Sequence, residues 1–219
     1  MANLEVTFRR AVAERQKWAD EFPGALFGYI GDLAPNLSVK LEEALSSGRE
    51  ETLQSLFTRN PYLIQYAIDR SGHHGIWVFP KQMIKPPART ASKGMIPDYL
   101  VVTRSSLGYY WHIVELKRAD VQFSNAAGDG YSRDGQKALA QCSRYLGHMQ
   151  DYIESVRSNV RVDQVIKPVG AVVLIGDATK ETWAQQQCRA EFVNSSSNIK
   201  IVSYDRLRRG LRNDIGWKE

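Results

Sequence analysis

The sequence predicts an α/β domain, and three stretches carry that prediction. Residues 99–103 (Tyr-Leu-Val-Val-Thr) and 109–116 (Tyr-Tyr-Trp-His-Ile-Val-Glu-Leu) are rich in aromatic and β-branched types and flank Arg-Ser-Ser-Leu-Gly, which reads as a β-hairpin. From Gln136 to Val156 the apolar positions Ala138, Cys142, Tyr145, Met149, Tyr152 and Val156 recur every three or four residues, the period of one long helix. Gly170-Ala-Val-Val-Leu-Ile-Gly176 is a continuous apolar run, as a strand covered on both faces requires.

The remaining elements follow in chain order. Residues 4–20 have helical spacing (Leu4, Phe8, Ala11, Val12, Trp18) and stop near Phe22-Pro23-Gly24, and a second helix is predicted over 38–45. These two form an N-terminal helical extension, residues 1–45, ahead of a main domain at 46–219. Ser46-Ser47-Gly48 breaks the chain, and a helix restarts over 49–58 with Leu53, Leu56 and Phe57 on one face before Asn60-Pro61. Residues 62–69 read as a further short helix and 76–79 (Ile-Trp-Val-Phe) as a strand, followed by a basic, proline-containing loop over 81–93. The polar stretch 119–135 is a loop long enough to suggest function or mobility. A helix at 181–192, a strand at 199–203 and a closing helix at 205–212 complete the order, with no internal repeat.

Composition narrows the setting. Cys142 and Cys188 fall in helix-like segments without metal-ligand spacing and read as reduced core thiols. No run approaches the roughly 18 apolar residues of a membrane span, and the first residues lack an apolar signal core, so a cytoplasmic protein without membrane partners is predicted. A net charge of +5 and a pI near 9.2 have the right sign for attracting phosphates. Lys81, Lys85, Arg89 and Lys93 cluster before the hairpin as candidate nucleic-acid contacts. Arg206, Arg208, Arg209 and Arg212 form a second group, which reads equally well as a solvated face.

The hairpin carries the chemistry. Successive side chains of a strand alternate faces, so Glu115 and Lys117 point one way while Val114 and Leu116 point the other, and Asp98 at the mouth of the first strand can join the former pair. Two carboxylates with an ammonium suit metal-assisted phosphodiester hydrolysis; the same residues also read as an ordinary ion pair on a strand. Gln141 and Tyr145 share the inward face of the long helix, where Gln141 can bond a water or a phosphate, or else simply line a helix surface. Glu50 falls on an apolar stripe, where a buried carboxylate needs a partner such as a metal, yet Ser47-Gly-Arg-Glu50 also matches a capping box. His73 and His74 are adjacent between glycines and unsuited to a zinc cage, and His112 faces away from Glu115.

Taken in order, a helix with Glu50, Ile96-Pro-Asp-Tyr, Val114-Glu-Leu-Lys-Arg-Ala-Asp120 and Ala138-Leu-Ala-Gln-Cys-Ser-Arg-Tyr145 resemble the PD-(D/E)xK nuclease superfamily. With Val172-Val-Leu-Ile-Gly176 and Ile201-Val-Ser-Tyr-Asp-Arg-Leu207, the chain is similar to the Shedu-type nucleases of bacterial anti-phage defence over residues 48–212, departing where Ser203 replaces an expected threonine. The resemblance implies a restriction-endonuclease-like core, a central mixed sheet flanked by helices. It also implies a DNA endonuclease using Mg²⁺, with Mn²⁺ able to substitute. Asp98, Glu115 and the Leu116 carbonyl then bind metal with Glu50 completing the shell, Lys117 and Gln141 join Asp98 and Glu115 in catalysis, and Tyr145 contributes to nucleic-acid binding. Such enzymes commonly assemble as homo-oligomers, dimers or tetramers. The competing expectation is a non-catalytic nucleic-acid-binding or assembly module on the same scaffold.

Overall fold

A computed structural model describes residues 13–68, 75–84, 94–162 and 167–216. Its centre is a six-stranded sheet whose strands stand side by side in sequence order: β1 (Leu26–Gly28), β2 (Ile76–Pro80), β3 (Tyr99–Ser105), β4 (Gly108–Leu116), β5 (Lys167–Leu174) and β6 (Ile199–Val202). The first four are antiparallel neighbours, and β5 and β6 add in parallel. Parallel neighbours need a long crossover. Here α4 (Arg133–Val160) and α5 (Trp183–Ser195) supply them. The predicted mixed sheet flanked by helices is thus the observed architecture.

Alternation divides the sheet into two apolar faces. Ile76, Val78, Tyr99, Val101, Val114, Leu116, Val172 and Leu174 pack with α2 (Leu37–Ser46), α3 (Glu50–Arg59), the 3-10 turn Pro61–Ala67 and α6 (Tyr204–Gly216). Trp77, Phe79, Leu100, Val102, Trp111, Ile113, Ala171 and Val173 face α4 through Ala138, Cys142, Tyr145 and Met149. Burying both faces removes apolar area at roughly 25 cal/mol per Å², the main favourable term in holding the layers together.

Several boundaries differ from the sequence reading. The hairpin is tighter than predicted, with only Ser106 and Leu107 between strands, because Gly108 adopts φ +114, which L side chains rarely tolerate. Helix α4 starts at Arg133, where the Ser132 side chain accepts from Gly135 N–H, and it is interrupted by non-helical geometry at Tyr152. The stretch expected as a short helix at 62–69 is 3-10 in its described part. Strand β1 was not predicted, and it joins part of the N-terminal segment to the main sheet; Phe22, Leu37 and Leu41 of that segment are also core residues. Residues 13–19 are helical (α1), and the start of that predicted helix lies outside the described residues. Among the described residues no helix is long and apolar enough to cross a membrane.

Asp177 closes the C-terminal end of β5 onto α6. Its carboxylate accepts from the backbone and hydroxyl of Thr179 and pairs with Arg208 at 2.6 Å, while Arg208 also reaches Glu42 of α2 at 2.8 Å. Burial acts to raise the Asp177 carboxyl, but the Thr179 and Arg208 hydrogen bonds outweigh it and hold it below the usual value. The stability so gained is present above the unfolded carboxylate pKa and is lost as pH falls through the lower folded value. Asp177→Ala is expected to cost about 2 kcal/mol at neutral pH, less than a fully buried pair because Arg208 is partly exposed, and to flatten this acid limb. Urea unfolding at pH 7 and below pH 3 checks both.

Candidate active site

Tyr99 pairs with Val114 across the hairpin, which brings Asp98 opposite Glu115 on the sheet face that carries Leu100 and Ile113. Asp98 is buried, and its Oδ2 accepts from the Leu116 N–H at 2.7 Å while Oδ1 pairs with Lys81. Glu115 Oε1 accepts from Lys117 Nζ at 2.8 Å, and its Oε2 is buried without a hydrogen-bond partner. The three residues predicted as a constellation are therefore brought together.

The end of β4 is fixed by backbone contacts. Lys117 N–H donates to Leu174 O at 2.8 Å, and the buried Tyr204 hydroxyl donates to Lys117 O at 2.6 Å. With both main-chain groups held, Lys117 can aim its side chain only along the Glu115 face. Tyr99 anchors the other wall by donating its hydroxyl to Gln54 O at 2.8 Å, which ties α3, and hence Glu50 at its first turn, to the hairpin.

The electrostatics follow from burial and crowding. Desolvation raises the Glu115 carboxyl, the Asp98 charge raises it further, and the Lys117 hydrogen bond opposes both. Burial acts to lower Lys117, but the Glu115 hydrogen bond and the charges of Glu115, Glu50 and Asp98 raise it above its ordinary value, so it is an ammonium at neutral pH. Glu50 is half-buried and raised first by desolvation, with Lys117 lowering and Asp98 raising it. Three acidic side chains thus act on one another against two ammoniums.

The two readings of Glu50 now separate. The N-cap of α3 is Arg49, with no side-chain cap bond, and Ser47 instead ends α2 and accepts from Arg49 N–H. The capping box is not formed. Glu50 lines a cavity of about 350 Å³ together with Lys117, Arg118, Val121 and Asp134. Arg118 and Asp134 escaped the sequence reading: Arg118 simply follows Lys117, and nothing around Asp134 signals its tertiary position.

The supporting residues are partly as foreseen. Gln141 lies on α4 beside Cys142, and its Oε1 is buried without a partner. The Cys142 thiol is pushed up by burial and then by the Glu115 charge. Tyr145 is buried, and its hydroxyl donates to Ile96 O at 3.3 Å, so it braces the segment leading into Asp98. His112 faces away, bonded to Thr103 at 2.8 Å. Lys85, Arg89, Lys93, His73 and His74 lie outside the described residues. In the C-terminal basic group, Arg208 is committed to Asp177 and Glu42, and Arg209 to Asp205.

Among the described residues no three or more His, Cys, Asp or Glu side chains form a metal cage. Mg²⁺ needs none, since it is held by one or two carboxylates and keeps several waters. The orphaned Glu115 Oε2 is an anionic acceptor that a cation would satisfy, and Asp98 adds a second hard oxygen donor beside it. The donor set fits a hard dication.

A search of curated proteins finds no match. The family described as Shedu protein SduA, C-terminal, matches residues 47–208, nearly three quarters of the chain. The matched span runs from the turn before Glu50, through Asp98, Glu115, Lys117 and Gln141, to Arg208 in α6. The chain therefore belongs to the Shedu SduA C-terminal family.

Proposed function

We propose that the protein is a Mg²⁺-dependent DNA endonuclease of the PD-(D/E)xK type, acting in the cytoplasm in bacterial anti-phage defence. The observation that carries this reading is Glu115: a buried carboxylate, hydrogen-bonded to Lys117 on one oxygen, unpartnered on the other, and opposite Asp98. Asp98, Glu115 and the Leu116 carbonyl would hold Mg²⁺ or Mn²⁺, with Glu50 completing the shell. The cation supplies Lewis-acid polarisation of a phosphoryl oxygen and lowers the pKa of water. Lys117, fixed at both backbone groups, orients the attacking water and offsets the negative charge that grows on the phosphoryl oxygens. Gln141 Oε1 accepts a hydrogen bond from that water or its neighbour. Arg118, half-exposed at the cavity wall, contributes positive charge toward the DNA backbone. Cutting both strands needs two such sites, which a homo-oligomer provides.

Incubating the purified chain with linear, circular and single-stranded DNA, with Mg²⁺ or with chelator, tests the reading. Cleavage that depends on Mg²⁺ is the expected result. DNA binding with no cleavage in Mg²⁺ assigns the chain to the non-catalytic alternative. Glu50→Gln refines the site: the isosteric amide preserves packing but removes the charge, so metal affinity and turnover fall about tenfold or more, as for other supports of a metal shell, while the fold persists. Full cleavage by this variant, measured beside its circular dichroism, would remove Glu50 from the metal shell.

A further inference from the structure

The carboxylates carry two ammonium groups, and the two differ in how they are held. Lys117 is buried and fixed by its backbone. The Lys81 side chain is 51 % exposed while that of Asp98 is 6 % exposed, so one partner of this pair faces solvent and the other does not. Lys81 also sits directly after β2 in the left-handed region at φ +50, a conformation that costs a non-glycine residue free energy. Its N–H donates to Asp98 O at 2.8 Å, which pins the turn beside Asp98 and lets the side chain reach Oδ1.

The two oxygens of Asp98 are consequently unequal. Oδ2 is bound to the Leu116 N–H within the strand end, a partner that cannot leave without breaking β4. Oδ1 is bound to a long, flexible, solvent-facing side chain. A cation approaching Asp98 on either oxygen meets the Lys81 charge already paired with this carboxylate, and two positive groups on one carboxylate repel each other.

We propose that Lys81 is an exchangeable internal counter-ion: it competes with the divalent cation for Asp98, and the phosphodiester of bound DNA draws it away. Metal and DNA then bind cooperatively through one lysine, and by linkage each raises the affinity of the other by the same factor. A half-exposed ammonium has an obvious second partner in the DNA backbone, where it releases a condensed counter-ion. The protein alone thus holds its metal weakly, and loading is completed on substrate. This inference rests on the nuclease reading above.

The test reads metal binding directly. Mn²⁺ is titrated by electron paramagnetic resonance into the full chain, wild type and the variants Lys81→Ala, Lys81→Gln and Lys81→Arg. Titrations are run alone and with a duplex made non-hydrolysable by phosphorothioates, and melting curves confirm each fold. Without DNA, Lys81→Ala and Lys81→Gln are expected to bind Mn²⁺ about fivefold tighter than wild type or more, with Lys81→Arg close to wild type. The gain in Mn²⁺ affinity on adding DNA should be smaller in the neutral variants than in wild type. Equal or weaker Mn²⁺ affinity in the neutral variants, or an equal DNA-linked gain, overturns the proposal and leaves the nuclease reading standing. Wild-type protein that binds no Mn²⁺ with or without DNA overturns both.

Discussion

Replacing Lys117 by glutamine is expected to lower DNA cleavage by about a hundred- to a thousandfold, the usual cost of removing one preorganised group that meets transition-state charge. The loss should fall on turnover, because the ammonium acts where charge grows and not on the bound ground state. Glutamine is preferred to alanine because Glu115 Oε1 already has a buried donor in Lys117, and Glu115 Oε2 has none. Lys117→Ala leaves both oxygens buried and unpaired, so that variant also destabilises the fold or forces Glu115 to keep a proton. The amide of glutamine can still donate one hydrogen bond. Single-turnover rates in Mg²⁺, measured beside DNA affinity, check the expectation. A variant that cuts at the wild-type rate would leave the Glu115–Lys117 contact as a plain ion pair.

Asp98→Asn should do something different, abolishing Mn²⁺ binding and reducing cleavage by about a thousandfold or to background, since a carboxylate that provides half of the firm negative charge is gone. The asparagine oxygen still accepts from Leu116 N–H, which keeps the end of β4 in place. Circular dichroism and melting temperature should therefore change little. The contrast between the two variants is the informative result. Lys117→Gln should bind metal without efficient cleavage, and Asp98→Asn should do neither. If Asp98→Asn binds Mn²⁺ as tightly as wild type, the cation is held elsewhere and the assignment of Asp98 fails.

The parts of this arrangement that were legible in the sequence are those set by short-range pattern. The hairpin, α4 and β5 follow from alternation, a period near 3.6 and an unbroken apolar run, and alternation alone put Glu115 and Lys117 on one face. What escaped is what only the tertiary structure decides. Three residues, Leu26-Phe27-Gly28, carry no strand signal of their own and become β1 because β2 offers them a partner. Whether Glu50 caps α3 is likewise decided only in three dimensions: Arg49 stands at the N-cap without a side-chain bond, and the Tyr99 hydroxyl ties α3 to the hairpin. The contact of Lys81 with Asp98, seventeen residues away, has no local signature either. The polar stretch after Lys117 reads as loop from its composition, but its Ser124 hydroxyl and Asn125 carbonyl exchange hydrogen bonds with Gln185 of α5 and hold it against that helix.

The two edges of the sheet bear on how copies of this chain can meet. Its outermost strands are short, three residues in β1 and four in β6, and Lys200 stands exposed in the middle of the latter. Short borders with a charged residue are poor templates for strand addition, which draws its strength from a long row of free main-chain donors and acceptors. Association by continuing the sheet from one copy into the next is disfavoured at either border. If the chain forms the homo-oligomer proposed above, side-chain contacts between helical layers are expected to hold it, so charge substitutions on those layers should change oligomer mass in light scattering while insertions beside β1 or β6 leave it alone.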